Sequence, residues 1–139
     1  MAATDTYGVV KIGEGISVNN GIISHNLNIK NGTGDYSIVE GTITGTDLNT
    51  ANGIASHAEG YNTTASANCS HAEGSSTTAS GIASHAEGYS TIASGVQSHA
   101  EGDVTRASGN YSHAEGSITQ ASGYYSHAEG RGTTAKHEA

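Results

Sequence analysis

Proline, tryptophan and phenylalanine are absent from this 139-residue chain, and large aliphatic side chains are scarce after residue 50. One copy therefore cannot bury enough apolar surface in an ordinary globular core to offset its chain entropy. Two ways of folding remain: stacking repeats on one another, or sharing a core between chains. Basic residues are also few. Five Lys and Arg stand against 13 Asp and Glu, for a net charge of −8, which argues against nucleic acid and anionic membrane surfaces as partners. Apolar runs are too short for a transmembrane helix or the hydrophobic region of a signal peptide, so this stretch encodes neither membrane insertion nor export. Cys69 is the single cysteine, so no intrachain disulfide can form. It reads as a tolerated small residue rather than a nucleophile.

What the chain does have is a period. The string SHAEG begins at residues 56, 70, 84, 98, 112 and 126, six copies each fourteen residues after the last. Abundant Ser, Thr and Gly could otherwise suggest disorder, but a disordered segment has no reason to keep register. A seventh, degenerate unit precedes these: YSIVEGTIT (36–44) aligns with YSHAEGSIT (111–119), with Ile38 and Val39 in place of His and Ala. This unit spans 37–55 and is longer by about five residues, expected within TGTDLNTAN. The chain divides into a small β-rich module at 1–36 and a repeat shaft at 37–139, with the six full units at 56–139. In the module, Val10, Ile12, Ile16, Val18, Leu27 and Ile29 alternate in short Gly-bounded runs, and NNG at 19–21 signals a hairpin.

One unit, SHAEG-YN-TTASA-NC (56–69), reads as two five-residue strands joined by two-residue corners. That is one flattened coil of a parallel β-solenoid, and the next coil stacks at the ordinary strand spacing of about 4.8 Å. Alternation assigns the faces. Ser56, Ala58 and Gly60 share the inward face with Thr63 and Ala65; His57, Glu59, Thr64 and Ser66 point outward. A narrow coil has room inside only for small side chains, so Ala86 and Ala100 should tolerate nothing large. Thr63, Thr77, Thr91, Thr105, Thr119 and Thr133 are expected to form an internal, hydrogen-bonded ladder. The outward residue after each varies (Thr64, Thr78, Ile92, Arg106, Gln120, Thr134), as solvent permits, whereas the outward His and Glu never vary in the six full units. Those two columns must face something fixed.

TYGVVKIGEGISVNNGIIS (6–24) resembles a short module of bacteriophage tail-fibre and baseplate-attached proteins. The fourteen-residue unit is similar to the head repeats of trimeric autotransporter adhesins, and its form SHAEGYxTTASG more closely resembles repeats of phage and prophage tail proteins. The resemblance implies a homotrimeric, left-handed parallel β-roll in which the two outward positions of the first strand meet neighbouring chains. In the adhesin family those positions are commonly Val and Ile, so His and Glu are a departure. Some phage relatives continue into a C-terminal chaperone that cleaves itself off; 131–139 is too short for it, and a fragment or matured product is expected. The function implied is a structural shaft of a phage or prophage tail fibre or host-attachment protein. It would sit on the virion tail and position a receptor-binding tip, with host glycan or protein met by other parts of the full protein. The alternative is the head of a trimeric adhesin at the bacterial cell surface, which would require an upstream export signal and a C-terminal anchor.

Four chemistries compete for the His/Glu columns. In the structural reading, His57, Glu59, His71, Glu73, His85, Glu87, His99, Glu101, His113, Glu115, His127 and Glu129 form the trimer interface. Each His there meets a carboxylate of an adjacent chain, and the polar rings fix register and oligomer number. A carboxylate partner should raise each imidazole pKa and depress each Glu, placing maximal stability near about pH 5–6, while desolvation opposes this. In the metal reading, His57, His71, His85, His99, His113 and His127 converge in threes on the axis; their carboxylate partners argue against it, so no metal and no cofactor is expected. Catalysis would need a concave pocket and groups in unlike environments, which identical stacked pairs do not offer, so no enzyme activity is expected. Ice binding would need a regular outward Thr array, and the outward array contains Ile92, Arg106 and Gln120. His25 and His137 are off-register and read as surface residues.

Overall fold

A computed structural model of the chain describes residues 17–19, 22–24, 29–40 and 49–136. These residues form strands and turns with no helix among them. The elements are β1 (Ser17–Asn19), β2 (Ile22–Ser24), β3 (Ile29–Asn31), β4 (Ile38–Glu40), β5 (Thr50–Ala51), β6 (His57–Tyr61), β7 (Thr64–Ala65), β8 (His71–Ser75), β9 (Thr78–Ala79), β10 (His85–Tyr89), β11 (Ile92–Ala93), β12 (His99–Asp103), β13 (Arg106–Ala107), β14 (His113–Ser117), β15 (Gln120–Ala121), β16 (His127–Ala128) and β17 (Thr134–Ala135).

From β4 onward the even-numbered strands stack in chain order into one sheet and the odd-numbered strands into another. Neighbours within each stack are parallel and pair like with like: His57 opposes His71, Ala58 opposes Ala72 and Glu59 opposes Glu73. The fold is thus a parallel β-solenoid of about six coils, fourteen residues each. The degenerate unit occupies its expected place, with Ile38 opposite His57 and Val39 opposite Ala58. Thr50 pairs with Thr64, so ten residues separate Glu40 from Thr50 where five separate Glu59 from Thr64. The extra residues therefore fall between Glu40 and Thr50, in a stretch that includes 41–48, which lies outside the described residues.

In the N-terminal segment β1 pairs antiparallel with β2, Asn19 opposite Ile22, as the NNG signal predicts. The alternation expected at Val10, Ile12, Ile16 and Leu27 lies outside the described residues, while Val18 falls in β1 and Ile29 in β3. The last strand of that segment, β3, pairs antiparallel with β4 and so closes the N-terminal edge of the larger sheet. The edge strand of the sheet at that end is thus the short antiparallel β3 rather than a repeat strand, and short edge strands are one way of limiting edge-to-edge association.

The inward face is as small as alternation predicts. Ala58, Ala72, Ala86, Ala100 and Ala114 from the longer strands, and Ala65, Ala79, Ala93, Ala107 and Ala121 from the shorter, have no exposed surface. Ser56, Ser70, Ser98, Ser112 and Ser126 are buried as well, and each hydroxyl donates to the carbonyl three residues earlier, at 2.6–2.8 Å. Serine thus closes a corner while filling the interior, which alanine at the same place could do only sterically.

Three expectations are corrected. The second strand of each coil is two residues long rather than five, because the chain bends into the next corner directly after its alanine. Gly60 is exposed rather than inward; its φ of +109°, rather than interior size, is what requires glycine. The threonine ladder is inward but not hydrogen-bonded: Oγ1 of Thr63, Thr77, Thr91, Thr105 and Thr119 has no partner. Successive hydroxyls stand one strand spacing apart, about 4.8 Å, beyond hydrogen-bond reach. The threonine carbonyls are meanwhile taken by the backbone, Thr77 O accepting from Thr64 N and Thr91 O from Thr78 N. Thr133, in the last coil, is exposed and its hydroxyl donates to Glu129 O. Thr91→Val keeps the shape and removes a buried hydroxyl without a partner, so it should raise stability by about 1 kcal/mol in denaturant melts; a loss of that size would mean the hydroxyl is satisfied after all.

Candidate functional site

Every long strand presents its His and Glu on the outer face of the larger sheet, because the period-2 alternation that buries Ala58 must turn His57 and Glu59 out. Like-with-like pairing then aligns them into two columns. The six imidazoles stack with centroids 4.7–4.9 Å apart and planes within 8° of parallel. His57, His71, His85, His99 and His113 are half-buried, as are Glu59, Glu73, Glu87, Glu101 and Glu115; His127 and Glu129, at the end of the stack, are exposed. His25 and His137 lie outside the described residues, and Cys69 is exposed, at a corner with φ +57°.

From His71 to His127, the carboxylate nearest each imidazole belongs to the preceding coil of the same chain. Nε2 of His71 lies 3.7 Å from Glu59, His85 3.4 Å from Glu73, His99 3.7 Å from Glu87, His113 3.6 Å from Glu101 and His127 3.7 Å from Glu115. Contacts within a coil are longer, 3.9 Å for His57–Glu59 and 4.0 Å for His113–Glu115. These separations exceed a good charge-assisted hydrogen bond of about 2.7–2.9 Å. Nε2 of His71, His85, His99 and His113 is shielded from solvent and makes no hydrogen bond.

Stacking ionisable groups so closely has an electrostatic consequence. Two unit charges 4.8 Å apart repel by about 3 kcal/mol at an effective dielectric of 20, before salt screening. At His71 burial is the leading effect and pushes the imidazole below its ordinary 6.5; His85 and then His57 push the same way, while Glu59 opposes. Within one chain, desolvation, the effect expected to oppose the carboxylate, therefore outweighs Glu59 at His71. The linkage also reverses. Above about pH 6.5 both folded and unfolded His71 are neutral and it contributes no slope. As pH falls below that value the unfolded chain takes the proton first, and stability declines until the folded group titrates. Urea melts of the parent and His71→Gln between about pH 5 and 8 should therefore differ in slope, the parent losing more stability towards the acid side than the variant. A variant that loses as much as the parent would contradict this. The groups around His71 are His57 and Glu59 on β6, Glu73 on its own strand and His85 on β10.

Beside the columns runs an open groove of about 680 Å³ lined by Glu73, Glu87, Glu101 and Glu115 over a floor of Gly74, Gly88, Gly102, Gly116 and Gly130. Alternation does not foresee it, since it assigns the glycines inward; the sequence signal is that glycine follows every glutamate of the repeat. A scan against protein-family models, a search of curated proteins and a search of solved structures each return no match for this chain.

Proposed function

We propose that the chain is a structural shaft that assembles as a homotrimer, each left-handed coil facing its counterparts through the His/Glu columns. In this reading it is part of a phage or prophage tail fibre, carried on the virion tail, where it positions a receptor-binding tip. One observation carries the reading. On the same solenoid the outward column Thr64, Thr78, Ile92, Arg106, Gln120, Thr134 varies at nearly every coil, whereas the outward His and Glu do not vary in six. A column facing only water has no reason to be held constant. The interior adds support: among the described residues it is almost entirely Ala, Ser and Thr, with Val39 and Asn49 in the first coil, so the shaft gains from any further surface it covers.

Light scattering tests the assembly. The expected mass is about three times the 14.0 kDa of one chain, with unfolding coupled to dissociation on dilution; a folded monomer would remove the basis for a shared axis. Antibody raised against the chain should decorate virion tails in electron micrographs, and decoration of bacterial cells alone would favour an adhesin.

A further inference from the structure

We propose that Glu73, His85 and Glu87 form a binding site for a divalent transition-metal ion of the zinc class, built between two successive coils of one chain. One ligand atom from each of the three residues lies within 4.8 Å of the others. His85 Nε2 and Glu73 Oε1 are 3.4 Å apart, the shortest such separation among the described residues of the columns. That is long for a hydrogen bond between them. It is close to the edge of a tetrahedron around zinc, whose N and O ligands at about 2.0–2.1 Å stand about 3.3 Å apart. His85 Nε2 is shielded from solvent and makes no hydrogen bond, so its ring nitrogen is not committed elsewhere.

Charge and donor type agree. Two carboxylates and a neutral imidazole carry two negative charges, which a divalent cation neutralises. The same ion also screens the repulsion between Glu73 and Glu87, which oppose one another in register. An imidazole ligand selects zinc-class ions over calcium or magnesium, which take oxygen. Glu73 and Glu87 both line the groove floored by Gly74 and Gly88, which within one chain leaves space at the carboxylates for water to complete the coordination. Glu59, His71 and Glu73 repeat the arrangement one coil earlier, but Glu73 is common to both sets, so one ion serves the pair. The longer 3.7 Å separation at His71 places that ion at His85. The site is complete within one chain and does not depend on the trimer.

The test is zinc chloride titrated into the full chain at neutral pH, with ¹⁵N-labelled histidine and calorimetry. The expected result is saturable binding in which Nε2 of His85 moves to its metal-bound position while His71 does not. Glu73→Gln, which disables both overlapping sets, should lower the stoichiometry by one ion per chain; Asp103→Asn, an exposed carboxylate outside the cluster, should leave it unchanged. The NMR reading on the unsubstituted chain stands even where a variant fails to fold. The proposal is overturned if zinc moves His71 instead of His85, if Glu73→Gln binds as many ions as the parent, if no saturable binding occurs, or if all histidines shift weakly together only at large excess, the signature of an adventitious ion only.

Discussion

Gly88→Ala is expected to destabilise the solenoid by about 3 kcal/mol or more, the sum of backbone strain and overpacking. Gly88 has φ +104°, a region that residues with a Cβ rarely enter. A Cβ there would stand 2.2 Å from the carbonyl oxygen of Gly102 in the next coil. That atom is backbone, so it cannot swing aside as the end of a long side chain would. Relief requires moving one coil against the next, which stretches the parallel ladder on both sides of the site. Gly74 and Gly102 meet the same obstacle at 2.2 and 2.1 Å, so alanine at either should behave alike. Gly132 has nothing within 4 Å of its would-be Cβ; with φ +66° it should lose only the local conformational cost, about 1 kcal/mol. Thermal or urea melts of the three variants beside Gly132→Ala decide the matter. Equal, small losses at all four would mean that the coils can slide apart and that inter-coil contact is not what excludes a side chain.

Ala100→Leu is the second large effect. Ala100 is fully buried between Ala86 below and Ala114 above, and the opposite wall is made of equally small residues such as Ala93 and Ala107. Three added carbons have no void to occupy and must separate the two sheets, at about 1–3 kcal/mol or more. Gln120→Leu places the same side chain on the outer face of the shorter sheet, where Gln120 is only partly covered, and should change stability by less than about 0.5 kcal/mol. Parallel melts of the two variants compare them directly. A loss at Gln120 equal to that at Ala100 would indicate that the outer face of the shorter sheet is itself covered by something as close-packed as the interior.

These two substitutions also separate what is legible in the residues from what is not. The fourteen-residue period, the two strands per coil and the inward placement of Ala58, Ser56, Thr63 and Ala65 follow from sequence alone. Alternation along a strand leaves no other assignment once one face must be small. The same logic turns His57 and Glu59 outward and, with repeats in register, aligns them into columns.

Only the tertiary structure decided the rest, because it depends on distances between coils that no single unit contains. The glycine after each glutamate looks inward by counting, yet a positive φ and the carbonyl of the next glycine are what require it. The threonine hydroxyls look like a ladder by their spacing, but one strand separation is too far for them to bond. The stacking of coils also brings Glu73 of the preceding turn to 3.4 Å from His85 within one chain, and at His71 burial and the neighbouring imidazoles outweigh the carboxylate of Glu59. Sequence determines which side chains share a face. The packing of successive turns determines how far apart they stand, and hydrogen bonding, ion pairing and metal ligation all depend on that separation.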